Sequence, residues 1–226
     1  MRGCFVTGTD TGVGKTVVSA AIVTVLRARG ASVRALKPVI TGLDAPPDRV
    51  WLPDHALLAS LTGQSPDEVA SIRFGPAVSP HLAAELTGAR LDPDAIARAV
   101  VDAQDAAQRA HADALVIEGV GGRLVPFVDA NVVRDLAREL ALPVVVVAAR
   151  PGHDQPHTLL TLEAARAAGV QVARVVLPRP ARSRTRSRAP TATRSRLGQI
   201  PARWEPSHGR TPPCWPRPAP HSGSTS

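Results

Sequence analysis

Residues 8–16 read Gly-Thr-Asp-Thr-Gly-Val-Gly-Lys-Thr, with GCFVTG (3–8) leading in and a long helical pattern, Lys15–Arg29, following. The lead-in is short and apolar, as a buried strand is. The following segment closes at Gly30, a residue suited to a helix C-cap. A glycine-rich turn that joins a strand to a helix and ends in Gly-Lys-Thr is a phosphate loop. Glycines let successive backbone N–H groups turn toward one anion, and the helix N-terminus adds its positive dipole end. Lys15 is placed to reach terminal phosphates, and the Thr16 hydroxyl can ligate Mg2+. One departure stands out: five residues separate Gly8 from Gly14, where the plain pattern has four.

Outward from the loop, strand and helix patterns alternate. Val33–Val39 reads as a second strand, 44–53 as a loop, and Asp54–Leu61 as a short helix with Asp54 at its N-cap. Asp92-Pro93 opens a helix that Ile96, Val100 and Val101 carry to about His111. Ala114–Ile117 is a strand ending at Glu118, and Pro143–Ala149 is another. Leu159–Ala168 is helical, and Val172–Leu177 is the last strand. No internal repeat is visible. This alternation predicts an α/β fold: three layers, with a mostly parallel doubly wound sheet of the phosphate-loop NTPase type. Aromatic residues make up only 3% of the chain, so Val, Ala, Leu and Ile must fill the core.

The net charge of +8 suggests a polyanion partner until it is located. Residues 178–226 hold ten Arg, no Lys and one acid, whereas residues 1–177 hold 17 basic and 18 acidic side chains. The body is nearly neutral. The charge belongs to a tail with ten Pro, which cannot bury enough apolar surface to offset chain entropy. Two units are therefore expected: a phosphate-loop domain over 1–177, and an Arg/Pro/Ser-rich tail over 178–226 that is disordered or out of frame. Nucleic acid is not an expected partner, because the Arg run lacks interleaved aromatics. No run approaches the roughly 18 apolar residues of a membrane helix, and no apolar leader follows Met1-Arg2. Cys4 and Cys214 form no framework. The expectation is a cytoplasmic protein without a membrane partner.

A bare phosphate loop specifies a nucleotide and leaves the reaction open. GTDTGVGKT (8–16), Lys37-Pro38 at the end of the second strand, Asp54 and EGVGG (118–122) resemble the dethiobiotin synthetases in order and spacing. Ser79-Pro80-His81 adds a weaker match, and the resemblance covers about residues 3–177. It implies closure of a ureido ring on 7,8-diaminopelargonate by CO2 and ATP, with Mg2+ as cofactor and a homodimer as the assembly. It also implies roles. Lys15 serves the phosphoryl group and Lys37 the carbamate. Thr11, Gly12, Val13, Gly14, Lys15, Thr16, Glu118 and Gly121 hold the nucleotide, Gly12 replacing an acid that some members carry. Thr41, Ser79 and Pro80 line the diamine, while Thr16, Asp54 and Glu118 hold Mg2+.

Two stretches depart from the family. Where members carry a Gly-Thr-Ile-Asn-His-Thr-like run that helps hold the substrate across a dimer, this chain reads Gly152-His-Asp-Gln-Pro-His157-Thr158. A local frame slip, restored at His157-Thr158, would produce it. From Pro178 onward the expected Asn that reads adenine is replaced by RPARSRTRSR, and LGQIP (197–201) stands as an isolated remnant. Three rival readings follow. A ParA-like switch ATPase shares the lengthened loop but carries a second Lys early in it, where this chain has Thr9-Asp10-Thr11. An amidating relative would append a nucleophilic Cys domain. A non-catalytic remnant would bind nucleotide without turnover.

Overall fold

The phosphate loop leaves the central strand of a five-stranded parallel sheet. The computed structural model describes residues 2–45, 51–122, 126–128, 131–132, 136–137, 140–148 and 155–178. Of the two departures from the family, residues 152–154 and the tail from 179 lie outside these residues; the rest of the first, from Gln155 to Thr158, is helical, and Pro178 ends the described part.

Strand β1 is Arg2–Gly8, helix α1 Lys15–Ala28 and strand β2 Val33–Leu36. The short strands β3 (Val39–Ile40) and β4 (Ile72–Arg73) flank helices α2 (Asp54–Thr62) and α3 (Pro66–Val69). Next come α4 (Pro80–Leu86), α5 (Pro93–Arg109) and β5 (Ala114–Glu118). The pair β6 (Pro126–Val128) and β7 (Asn131–Val132) precedes β8 (Val144–Val147), α6 (Gln155–Ala167) and β9 (Val172–Val176). The main sheet has the order β2-β5-β1-β8-β9, parallel throughout.

Alternation along each strand divides the core into two layers. Phe5, Leu36, Leu115, Ile117 and Val146 face Ile96 and Val100 of α5 and Ala165 of α6. Val6, Val33, Val116, Val145 and Val147 face Val18 and Val23 of α1. Each buried Val, Leu, Ile or Phe among these contributes about 1.5–3 kcal/mol. Glu118 stands two residues beyond Val116 and therefore on the α1 side.

The sequence reading needs four corrections. Val33–Val39 is not one strand: Pro38 has no N–H for a ladder bond, so β2 stops at Leu36 and the chain re-pairs as β3 with β4. Lys37 N–H leaves the sheet and donates to the Val69 carbonyl at 2.8 Å. Asp54 is not the N-cap of α2; Pro53 is, and Asp54 occupies the first turn with its carboxylate directed elsewhere. Helix α6 begins at Gln155 rather than Leu159. Finally, α3 and α4 were not anticipated. Ser65 and Glu68 close a reciprocal capping box on α3, which is what lets so short a helix form.

Strand β2 is one of the two edge strands of the main sheet, and Gln64 covers its edge. Its Oε1 accepts from Ala35 N–H at 2.7 Å and its Nε2 donates to Ala35 C=O at 3.1 Å. The side chain thus stands in for a neighbouring strand. No described helix is long and apolar enough to cross a membrane.

Candidate active site

Three adjacent strands, β2, β5 and β1, deliver the site from their carboxyl ends, where open α/β sheets bind ligands. Gly14 precedes α1 in the left-handed region, φ 96°. A Cβ there would be strained, so the turn that frees the helix N-terminus calls for glycine. Gly8 is demanded by close approach: a Cβ would lie 2.7 Å from Val13 Cγ2 and 3.1 Å from the Asp10 carbonyl. On the other side Gly122 packs on the loop backbone, where a Cβ would lie 3.2 Å from the Thr9 carbonyl. EGVGG therefore buttresses the phosphate loop.

Register places the charged pair. Leu36 of β2 stands opposite Ile117 of β5. One step further, Lys37 meets Glu118 on the same face. Lys37 Nζ lies 2.7 Å from Glu118 Oε1 and 2.6 Å from Asp54 Oδ2, and Thr16 Oγ1 donates to the same Glu118 Oε1 at 2.8 Å. The Glu118 side chain is wholly buried and Lys37 is 4% exposed, whereas Asp54 is 44% exposed. Glu118 Oε2 is buried without a hydrogen-bond partner. Lys15 Nζ donates to the Asp10 carbonyl at 2.8 Å, closing the loop on itself.

The two ammonium groups respond to their surroundings in opposite ways. Burial, reinforced by the Lys37 charge, pushes Lys15 down to about 8. Burial acts on Lys37 in the same direction, but Glu118 and Asp54 more than offset it and hold the ammonium above its ordinary range. Burial would raise Asp54; the Lys37 charge overcomes this and keeps its carboxyl below the ordinary range, assisted by hydrogen bonds from Lys37 and Thr16.

A cleft of about 250 Å3 opens over this cluster. Of the residues singled out in the sequence, Thr11, Gly12, Gly14, Lys15, Thr16, Lys37, Thr41, Asp54 and Gly121 line it. Glu118 lies beneath, touching Thr16 and Lys37. Val13 turns its side chain under the loop onto the α1-side core. Ser79 and Pro80 open α4 and do not line this cleft; the Ser79 hydroxyl pairs with His81 Nδ1 at 3.1 Å. Pro178, at the head of the divergent tail, lies against Gly14, where a Cβ would be 3.4 Å from its Cγ.

Sequence reasoning missed the apolar lining, Val17, Ile40 and Val120. It also missed His55, which is buried next to Asp54 with Nδ1 lacking a partner. Burial and the nearby Arg73 charge lower its pKa. The signal for Ile40 was available in its place two residues after Lys37-Pro38; for His55 there was none.

Among the described residues no three His, Cys, Asp or Glu side chains gather to hold a metal ion. What gathers is two carboxylates and a hydroxyl, all oxygen, one acceptor still unused. That set suits Mg2+, which takes few protein ligands and completes its octahedron with water and phosphate oxygens. It does not suit a zinc site, which wants imidazole or thiolate.

An AAA-domain family model matches residues 2–206, continuing past the expected domain boundary. An ATP-dependent dethiobiotin synthetase of Marinobacter nauticus is 40% identical over 171 residues, 75% of this chain and 71% of that protein. One from Anaeromyxobacter dehalogenans is 40% identical over 185 residues, covering 79% and 77%. A third, from another Anaeromyxobacter species, is 41% identical over 180 residues, covering 78% and 76%. With the phosphate loop, the Lys37–Glu118 pair and this span of identity in hand, the chain belongs to the family of ATP-dependent dethiobiotin synthetases.

Proposed function

We propose that the chain closes a ureido ring on 7,8-diaminopelargonate, consuming CO2 and ATP and releasing dethiobiotin, ADP and phosphate. The observation that carries this reading is the buried Lys37 ammonium, set beside the phosphate loop in a cleft that also exposes Thr41 and Asp54. A phosphate-loop hydrolase that only switches conformation has no use for a second buried cation at that place.

The reaction has three steps. One substrate amine adds to CO2 and loses a proton, giving a carbamate. A carbamate oxygen takes the γ-phosphoryl group, and ADP leaves. The second amine attacks the carbonyl carbon and expels phosphate. None of these steps needs a protein nucleophile; each needs negative charge held in position. Lys15 and the loop amides hold the triphosphate. Lys37 neutralises the carbamate and orients its oxygen toward phosphorus. Thr41 in the cleft, and Ser79 and Pro80 outside it at the start of α4, are assigned to the diamine. Thr16, Asp54 and Glu118 would hold Mg2+, which when bound supplies charge neutralisation at the phosphates. The homodimer and a cytoplasmic location belong to the same proposal.

Phosphate release from Mg-ATP and bicarbonate is expected only when the diamine is present, and Lys37→Ala should abolish it while nucleotide binding survives. Hydrolysis that ignores the diamine would overturn the reading.

A further inference from the structure

Lys37 holds together the two carboxylates assigned above to the divalent cation. Its Nζ contacts Asp54 Oδ2 at 2.6 Å and Glu118 Oε1 at 2.7 Å, and Thr16 Oγ1 shares that same Oε1. Oxygens from all three proposed ligands therefore focus on one small volume, and a monocation uses it. Mg2+ bound by these oxygens would sit about 2.0–2.1 Å from them. A monocation and a dication drawing on the same carboxylates at such distances repel one another strongly.

We infer that Lys37 and the divalent cation compete for Asp54 and Glu118, and that arrival of the cation drives the Lys37 ammonium off these carboxylates into the cleft. The inference rests on the reading of Thr16, Asp54 and Glu118 as the cation's oxygens. The direction of the displacement follows from the walls. Glu118 is wholly buried, whereas Asp54 is open and lines the cleft together with Lys37 and Thr41. The freed ammonium then faces the cleft, the volume given to the carbamate. Lys37 becomes available to substrate only once the metal has arrived.

Residue usage agrees. Of the 27 Lys and Arg in the chain only Lys15 and Lys37 are lysine, and both line the cleft. An ammonium is a compact point charge that can exchange one set of oxygens for another, as the planar guanidinium fork cannot.

The two lysines make the test clean. Acylation of the full-length protein with an N-hydroxysuccinimide acetate, followed by peptide mass spectrometry, reports each amine separately. Titrating MgCl2 at constant ionic strength should raise the Lys37 acylation rate several-fold relative to Lys15; an unchanged or lowered rate overturns the inference. In a second arm, Mn2+ binding without nucleotide is followed by loss of the free-ion paramagnetic resonance signal. K37M, whose side chain fills the same space, should bind Mn2+ about tenfold tighter than wild type, because two carboxylates left without their counter-charge recruit a cation. Equal or weaker binding overturns the exchange. Adding D54N to K37M separates the layers: Mn2+ binding that needs Asp54 but ignores Lys37 sinks only the exchange, and binding indifferent to Asp54 sinks the cation assignment as well. Should K37M fail to fold, the acylation of wild type decides alone.

Discussion

Lys15 and Lys37 lie in one cleft yet hold their protons with very different strength. Lys15, buried and facing the Lys37 charge, is pushed down to about 8, so above that pH the folded chain has released a proton that the unfolded chain keeps. On this account alone, stability rises with pH between about 8 and the ordinary lysine value of about 10.5. Triphosphate binding runs the other way, since the phosphates favour the ammonium form. Nucleotide affinity should therefore fall as pH climbs past about 8, and binding at pH about 8.5 should take up a fraction of a proton. Calorimetry in buffers of differing ionisation enthalpy measures that uptake, and K15R should remove it, because a guanidinium stays charged. At this scale the sequence was informative where chemistry dictates a residue at a fixed place. Lys15 and Thr16 follow from the loop, and Glu118 follows from a charge ending a β-branched run. His55 was not legible, because its burial depends on how α2 packs, which the residues around it do not announce.

Among the elements, β2 is an edge strand of the sheet, and Lys37 follows directly on its last residue. Gln64 saturates Ala35 on both backbone groups, so Gln64→Ala would leave a buried donor and acceptor unpaired. The expected cost is about 2 kcal/mol by urea denaturation. The diamine KM should also rise more than the nucleotide KM, since β2 loosens on the Lys37 side and the phosphate loop is left alone. Periodicity disclosed β1, α1, α5, β5, β8 and β9, each long enough to show a repeat. The two-residue strands β3 and β4 are shorter than any period. Gln64, between Gly63 and Ser65, reads as a turn residue until the fold brings it against β2. Asp54 looked like a cap because an acid opening a helix usually is one; the Lys37 ammonium claimed the carboxylate first.

For the molecule as a whole, ligand binding and stability are tied through the same buried charges. Mg-bound non-hydrolysable ATP analogue at 100 times its Kd should add about 2.7 kcal/mol, a rise in Tm of about 5–10 °C for a domain of this size. Lys15→Ala, which keeps the fold but removes the phosphate contact, should lose that rise in a thermal scan. The layered α/β plan was readable because strand and helix patterns alternate; the order of strands was not, since crossovers leave no local trace. That order puts β5 between β1 and β2, and the active cluster depends on it. Lys37 finds Glu118 only because Leu36 is level with Ile117. A sheet's side chains point up or down with no intermediate setting. Deleting one residue within 114–117 would thus turn the carboxylate through to the α5 layer, lodging a bare acid among Phe5, Ile96 and Val100 and stranding the ammonium opposite. The pleat acts as a two-position selector for catalysis, so length changes in this strand are fatal where many changes of side chain would be forgiven.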